Sequence, residues 1–282
     1  IEYANDVSSQ CDTPRGSLIL EIGSNDGFLL EQFRELGFSV CGVEPAPAML
    51  QLSSRRGVKT INDFFGLDLA TKLVDEFDHK PELIVANNVF NHANEPLDFA
   101  HGVKALLSQE GVFVFELPYW LVAVEQGKID QVYHEHISYF TVNYAVNLFA
   151  KVGMQVIRAE EINYHGGSIR IFVCHGPGAL VEDSVDRAVS REINAGLFDI
   201  TTYRRLKKTV LDARNRFLAR LYQLKGAGER IVCIGAAAKG NTFLNFYNLD
   251  SSIIDYVTDT SPNKIGKYTP RTRIPIEDDQ VI

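Results

Sequence analysis

A strand, a glycine turn, a helix and a second strand follow one another from residue 17, and this order constrains the fold more than any other feature of the sequence. Leu18–Ile22 and Val40–Val43 are apolar runs of strand length, and between them apolar side chains recur at helical spacing at Phe28, Leu29 and Phe33. A βαβ unit of this kind requires a parallel sheet with helices on both faces.

The same alternation continues further along the chain. Apolar, strand-like runs follow at 83–86 and 112–115, and a helical stretch lies between them at 96–107. These features predict a doubly wound, Rossmann-like α/β domain over residues 1–178.

Two further segments are predicted after this domain. A section rich in Arg and Leu predicts a helical connector of one broken or two separate helices over residues 179–228. Another strand, turn, helix and strand then predict a second Rossmann-like α/β lobe over residues 229–282. Since only one such unit is present there, we expect this lobe to be small or incomplete.

Composition excludes several classes of protein. The chain has 282 residues, 45% hydrophobic and 23% charged, which is typical of a soluble globular protein. We expect it in the cytoplasm, because it shows no signal pattern and no run near the roughly 20 apolar residues of a membrane-spanning helix. The net charge of −8 argues against a nucleic-acid partner, since such binding needs many basic contacts. Four scattered cysteines without a C-x-x-C pair predict neither a metal site nor a disulfide framework.

The first turn, residues 20–27, lies at the carboxyl end of the first strand, where open α/β sheets bind ligands. Its glycine spacing does not fit G-x-G-x-x-G, which makes NAD the weaker hypothesis. The acidic Glu21 suits a cationic sulfonium or amine, and Glu44 at the end of the second strand suits a ribose diol. The alternative is an ordinary glycine turn with a solvated glutamate.

These residue types favour S-adenosylmethionine as the cofactor. Asp63 and Phe64 lie at the end of a further strand, beyond the second, at a position where they can cover an adenine, and Asn87 closes the fourth strand with a polar group. The predicted cofactor-binding residues are Glu21, Gly23, Ser24, Asn25, Gly27, Glu44, Pro45, Asp63, Phe64 and Asn87.

The segment Tyr133-His134-Glu135-His136 concentrates titratable side chains after the fifth strand. A positioned histidine can remove a proton near neutral pH, and an adjacent carboxylate can hold its ring in one tautomer. Zinc is a competing interpretation, but H-E-H lacks the H-E-x-x-H spacing that places two histidines on one helix face. A solvated polar turn is the other alternative.

Five segments together carry a resemblance to a known family: Leu20-Glu21-Ile22-Gly23-Ser24-Asn25-Asp26-Gly27-Phe28, Ala86-Asn87-Asn88-Val89, Tyr133-His134-Glu135-His136, His165-Gly166-Gly167-Ser168-Ile169-Arg170 and Gly235-Ala236-Ala237-Ala238-Lys239-Gly240-Asn241-Thr242. The chain resembles the sugar C-methyltransferases, class I S-adenosylmethionine-dependent enzymes that act on nucleotide-linked 4-keto deoxysugars. The resemblance covers nearly the whole chain, and its last segment is absent from general methyltransferases.

The resemblance implies roles for individual residues. His136 is expected to be the general base that removes the proton next to the sugar ketone, with Tyr133 beside the reacting centre and Glu135 in support. The enolate carbon then attacks the methyl group, and Tyr133 or His165 is a candidate donor to the enolate oxygen. The implied substrate-binding residues are Tyr119, His165, Gly166, Arg170, Lys239 and Asn241.

The similarity of the last motif to a P-loop is superficial, because Asn241 stands where a P-loop has its lysine. Lys239 at this helix start either contacts a phosphate of the substrate or belongs to a solvated surface. ATP hydrolysis is not implied.

The chain departs from the family in two places. Members usually carry an N-terminal zinc-binding module and continue well past the position of Ile282, whereas here only Cys11 precedes the first strand. We therefore expect this chain to lack that module and part of the last lobe. Two other functions stay open: methylation of oxygen or nitrogen on another small molecule, and non-catalytic binding by a protein that retains the fold.

Overall fold

In the computed structural model, which describes residues 2–282, five adjacent parallel strands form most of the first sheet. They are β1 (Leu18–Ile22), β2 (Ser39–Val43), β3 (Lys59–Ile61), β4 (Leu83–Asn87) and β5 (Val112–Pro118). The strand order β3-β2-β1-β4-β5 reverses direction between β1 and β4. In an open α/β sheet, ligands bind at such a reversal, outside the carboxyl ends of the strands.

One helix precedes these strands and four helices connect them, and these helices bury their apolar faces against the sheet. They are α1 (Glu2–Gln10), α2 (Phe28–Glu35), α3 (Pro47–Arg55), α4 (Leu67–Glu76) and α5 (Pro96–Leu106). The helix α1 was not predicted. Its side chains Ala4 and Val7 are fully buried and pack with Ile19, Leu30 and Phe33 in the core.

An antiparallel pair completes the sheet. After α6 (Trp120–Gln126) and α7 (Val142–Lys151), the hairpin of β6 (Met154–Ile162) and β7 (Ser168–His175) extends the order to β5-β7-β6. The hairpin turns at His165 and Gly166, where φ is positive at +48° and +78°. The result is a seven-stranded mixed sheet.

The remaining chain begins with two helices, which a smaller sheet with one helix of its own follows. The helices are α8 (Asp183–Asn194) and α9 (Ile200–Gly226), so the predicted helical section consists of two separate helices. The strands β8 (Val232–Ile234), β9 (Tyr256–Asp259) and β10 (Ile276–Asp278) are parallel in the order β10-β9-β8, and α10 (Ala238–Tyr247) connects β8 to β9. The predicted fold class is thereby confirmed: a Rossmann-like domain, helices, and a second small α/β lobe.

The contacts divide the chain into two units with boundaries that differ from the predicted ones. The first unit comprises residues 1–122 and 137–197, and the second comprises residues 123–136 and 198–282. The helix α8 belongs to the first unit, although it was predicted to be part of a connector. The reason is Glu192, a fully buried carboxylate of α8 that accepts hydrogen bonds from the first unit, as described below.

No helix within residues 2–282 combines the length and the apolar character needed to span a bilayer.

Candidate active site

The turn after β1 brings the chain close to the ends of β2 and β4. The N–H groups of Gly23 and Ser24 donate to the carbonyl oxygen of Val43 at 2.8 and 3.2 Å. Gly23 has φ of +71°, and a Cβ atom there would overlap with Cγ2 of Val89. Glycine is therefore required at this position, and the exposed edge of the turn is main chain that a ligand can approach closely.

Glu44, at the end of β2, is held by main-chain donors. Its Oε2 accepts from the N–H of Asn25 at 3.0 Å, and its Oε1 accepts from the N–H of Ala46 at 2.8 Å. Each carboxylate oxygen has two lone pairs, so both retain the capacity to accept a hydroxyl. A carboxylate held in this way is chemically suited to accept the hydroxyls of a diol.

Glu21, at the end of β1, is a buried carboxyl group with an unpartnered oxygen. The side chain is 6% exposed, and within residues 2–282 its Oε2 has no hydrogen-bond partner. Burial raises the pKa of Glu21 well above its usual value, and the nearby charges of Asp26 and Glu44 raise that pKa further. An unpartnered buried carboxyl of this kind is complementary to a cation, and so fits the amine or sulfonium of S-adenosylmethionine.

A small apolar pocket lies beside these two glutamates. Its volume is about 160 Å³, and its lining includes Val43, Pro45, Asp63, Phe64, Val89 and Phe99. The Phe64 side chain is 79% exposed, and the N–H of Phe64 donates to Oδ1 of Asp63 at 2.8 Å. Aromatic and apolar walls with a carboxylate at the edge suit a purine base.

A larger cleft opens at the ends of β4 and β5. Its volume is about 710 Å³, and it brings together Asn87, predicted for the cofactor, and Arg170, predicted for the substrate. Arg170 forms ion pairs with Glu116, at 2.5 Å, and with Asp6, at 2.6 Å. The hydroxyl of Tyr3 donates to Oδ1 of Asn87 at 3.0 Å.

Tyr3, Asp6 and Glu116 also line this cleft and were not among the predicted site residues. Burial raises the pKa of Glu116, although the hydrogen bond from Arg170 acts in the opposite direction. Burial also raises the pKa of Tyr3. The signal available in the sequence was Arg170 within an apolar strand, which requires a buried carboxylate partner.

The Tyr133-His134-Glu135-His136 segment is a turn in the second unit. The rings of Tyr133 and His136 lie 4.3 Å apart between centroids, and His136 is 8% exposed. Nδ1 of His136 lies 2.9 Å from the carbonyl oxygen of Gln131. Oε1 of Glu135 lies 3.9 Å from Nε2 of His134. A carboxylate was predicted to hold the imidazole, whereas the group at Nδ1 is a main-chain carbonyl.

The chain that follows this turn is anchored in the first unit. The N–H groups of Ile137 and Ser138 both donate to the carbonyl oxygen of Asn91, at 3.0 and 3.1 Å. Asn91 itself is 3% exposed and lies just beyond the carboxyl end of β4. Its main chain therefore fixes the start of the segment that leads to α7.

Tyr119 departs from its predicted role. The side chain is fully buried, and its hydroxyl donates to Oε1 of Glu192 at 2.8 Å. The same carboxylate accepts from the N–H groups of Val142, at 2.5 Å, and Asn143, at 3.0 Å, at the start of α7. Burial raises the pKa of Tyr119, with the Glu192 charge as the next cause. The contact between Tyr119 and a substrate is thus replaced by a structural one.

The remaining predicted substrate residues lie in both units. His165 and Gly166 are in the exposed hairpin turn of the first unit, where they do not line the larger cleft. In the second unit Asn241 lines a pocket of about 290 Å³ together with Gly235, Ala236, Gly240 and Thr269. Lys239 is half-buried on the first turn of α10.

Metal ligation finds no support in the part of the chain that the structure describes. Among residues 2–282, no three or more His, Cys, Asp or Glu side chains are grouped closely enough to hold an ion.

Sequence comparison connects these features to known proteins. Residues 5–159 match the methyltransferase domain, and residues 163–282 match the C-methyltransferase C-terminal domain. C-methyltransferase NovU of Streptomyces niveus is 31% identical to the chain over 264 residues, which cover 93% of this chain. The chain spans 62% of the length of this curated relative.

The similarity of the chain to solved structures is weaker. A chain of the complex between the Haloferax volcanii Trm112 methyltransferase activator and a putative methyltransferase is 11% identical, with a TM-score of 0.49 over 62% of this chain and 89% of that one. An S-adenosylmethionine-dependent methyltransferase of Clostridium acetobutylicum is 11% identical, with a TM-score of 0.48 over 62% of this chain and 90% of that one. The chain belongs to the family of the methyltransferase domain, whose model matches residues 5–159, and its residues 163–282 match the C-methyltransferase C-terminal domain.

Proposed function

We propose that this chain transfers a methyl group to the carbon next to the ketone of a nucleotide-linked 4-keto deoxysugar. The observation that carries the proposal is the buried imidazole of His136 against the ring of Tyr133. Alkylation at carbon requires removal of a C–H proton, and imidazole is the side chain best suited to this near neutral pH. The C-methyltransferase match of residues 163–282 supports carbon as the acceptor atom.

The donor is held in the first unit. Glu21 faces the cationic amine or sulfonium, Glu44 accepts the ribose hydroxyls, and the pocket beside Phe64 takes the adenine. When bound, S-adenosylmethionine supplies an electrophilic methyl group, which the acceptor carbon receives as S-adenosylhomocysteine is released.

His136 performs the proton transfer. It takes the proton from the carbon next to the ketone, and the electron pair of the broken C–H bond forms an enolate. Tyr133 or His165 donates a hydrogen bond to the enolate oxygen. The proton leaves His136 to solvent after methyl transfer.

Candidate acceptor-binding residues occur in each unit. Arg170 belongs to the larger cleft, where its charge is offset by Glu116 and Asp6, so this cleft suits a neutral, hydroxyl-bearing group better than a phosphate. In the second unit, Lys239 and Asn241 are placed for the nucleotide, because a small-residue turn that leads into a helix can receive a phosphate.

The test separates proton removal from methyl transfer. The full chain is incubated in deuterated buffer with a nucleoside diphosphate 4-keto-6-deoxysugar, first without and then with S-adenosylmethionine, and mass spectrometry follows both steps. We expect deuterium at the carbon next to the ketone and, with the donor, one added methyl group. His136→Ala should lose both deuterium incorporation and methyl addition and should still bind the donor in calorimetry. His101 is exposed, so His101→Ala serves as a matched control and should keep both reactions.

Two outcomes would overturn the proposal. Methylation of oxygen or nitrogen without deuterium incorporation would assign the chain to another acceptor class. Unchanged activity in His136→Ala would remove histidine from the chemistry.

A further inference from the structure

We propose that His136 acts through Nε2, and that the main-chain carbonyl of Gln131 positions it by holding the proton on Nδ1. The inference rests on the proposed function for its catalytic meaning, but the placement of the proton can be measured without it. Gln131 is thereby a positioning residue that acts through its main chain.

The distance and the chemistry of the partner determine the tautomer. Nδ1 of His136 is 2.9 Å from the carbonyl oxygen of Gln131, within hydrogen-bond range. A carbonyl oxygen only accepts hydrogen bonds, so Nδ1 must carry the hydrogen. In the neutral ring the lone pair then lies on Nε2, which is the atom able to receive a proton.

The same contact favours the product of proton transfer. Once Nε2 has taken a proton, the ring is an imidazolium, and the Nδ1–H bond to the carbonyl becomes a charge-assisted hydrogen bond. Such bonds are stronger than those between neutral partners. The carbonyl of Gln131 therefore stabilises the charged ring more than the neutral one, which is the requirement for catalysis of the proton transfer.

The carbonyl is fixed by its surroundings. Gln131 is 3% exposed and ends the short 3₁₀ turn Ile129–Gln131, which packs against α10 in the same unit. The N–H of Val132 donates to the carbonyl of Ile129 at 2.9 Å, and the N–H of His136 donates to the carbonyl of Tyr133 at 3.1 Å. These bonds close the loop on both sides of the imidazole, so its orientation does not depend on a flexible side chain.

Nuclear magnetic resonance of the full chain tests the tautomer directly. The protein is labelled with ¹⁵N only in its seven histidines, and the His136 signals are assigned as those missing from His136→Asn. Two-bond ¹H–¹⁵N correlations then show which nitrogen of the neutral ring is protonated. We expect a hydrogen on Nδ1, and a neutral ring protonated on Nε2 would overturn the proposal.

Two variants give an independent measurement. The side-chain amide nitrogen of Asn can occupy the place of Nδ1, whereas that of Gln reaches the place of Nε2. His136→Asn should therefore keep the bond to Gln131 and a Tm close to that of the native protein, whereas His136→Gln should lower the Tm by roughly 3 °C or more. The opposite order of Tm values would contradict the proposal. Absence of methyl transfer to every keto sugar, with Nδ1 protonated, would overturn the proposed function alone.

Discussion

Nε of Arg170 lies 2.5 Å from Oε1 of Glu116, and both side chains are only 9% exposed. The positive charge of Arg170 thus balances the carboxylate of Glu116 at the carboxyl end of β5, next to the larger cleft. Burial of each group is costly, and the pair offsets that cost only while both members are present.

Removal of one partner should therefore destabilise the first unit strongly. Arg170→Met leaves Glu116 buried and unpaired, with an expected loss of about 3–5 kcal/mol in the free energy of unfolding. Urea denaturation measures this loss. The double variant Arg170→Met/Glu116→Gln should lose less than the sum of the single variants, and additive losses would show that the two groups do not interact.

Glu44→Gln should weaken binding of the methyl donor. The neutral amide keeps one acceptor oxygen but loses a charged acceptor for the ribose, so we expect roughly 10- to 100-fold lower affinity for S-adenosylmethionine and S-adenosylhomocysteine in calorimetry. Glu31→Gln is the matched control, because Glu31 pairs with Arg56 on the same unit, away from this contact. Equal losses in both variants would contradict the assignment of Glu44.

Glu21 should make stability and donor binding depend on pH in opposite directions. Because its folded pKa is raised, unfolding releases a proton above the usual glutamate pKa of 4.5, and stability falls as pH rises towards the folded pKa. Donor binding favours the carboxylate, so affinity should rise over the same range. Melting and calorimetric titrations between about pH 5 and 8 should show both trends in the native protein and neither in Glu21→Gln. A pH-independent difference between the two proteins would refute this role.

Gly23→Ala should destabilise the first turn and abolish donor binding. The new methyl group would overlap with Val89, in addition to the strain of a positive φ, which costs about 1–2 kcal/mol. Gly37→Ala isolates the strain, because Gly37 has φ of +89° and open space at its Cβ position. In thermal unfolding, the Tm of Gly23→Ala should be well below the Tm of Gly37→Ala. Adding Val89→Ala to the Gly23 variant should recover part of the difference.

Glu192→Ala should lower the free energy of unfolding of the first unit. The substitution leaves the Tyr119 hydroxyl and two main-chain N–H groups of α7 without an acceptor. We expect a loss of at least about 2 kcal/mol in urea denaturation. Asp186→Ala, on the exposed side of the same helix, should change stability by less than about 0.5 kcal/mol. A loss as small as that of the control would show that the carboxylate is not needed.

The proximity of the proposed donor-binding residues was predictable because these residues follow the strands of a regular pattern. Gly23 and Glu44 each follow a buried strand, and carboxyl ends of parallel strands meet at one edge of the sheet. The chain order therefore implied their proximity.

Other contacts of the site cannot be predicted from a pattern in the sequence. Tyr3 and Asp6 lie on a short, polar helix far from Asn87 and Arg170 in the chain, and only the tertiary fold brings them together. Tyr119 was misassigned because a tyrosine after a strand is equally consistent with a cleft and with the core. The Gln131 carbonyl is a main-chain atom, which every residue carries, so its special position cannot be read from residue type.

The division of the chain at residues 123 and 136 also imposes an order in time. A chain is made from its N-terminus, and domains fold as their residues emerge. The first unit has all its residues once Leu197 is made, whereas Gln131 and His136 must wait for α10, which begins at Ala238. A nascent chain therefore completes the unit that carries the proposed donor residues before the short turn that carries Gln131 can pack against α10.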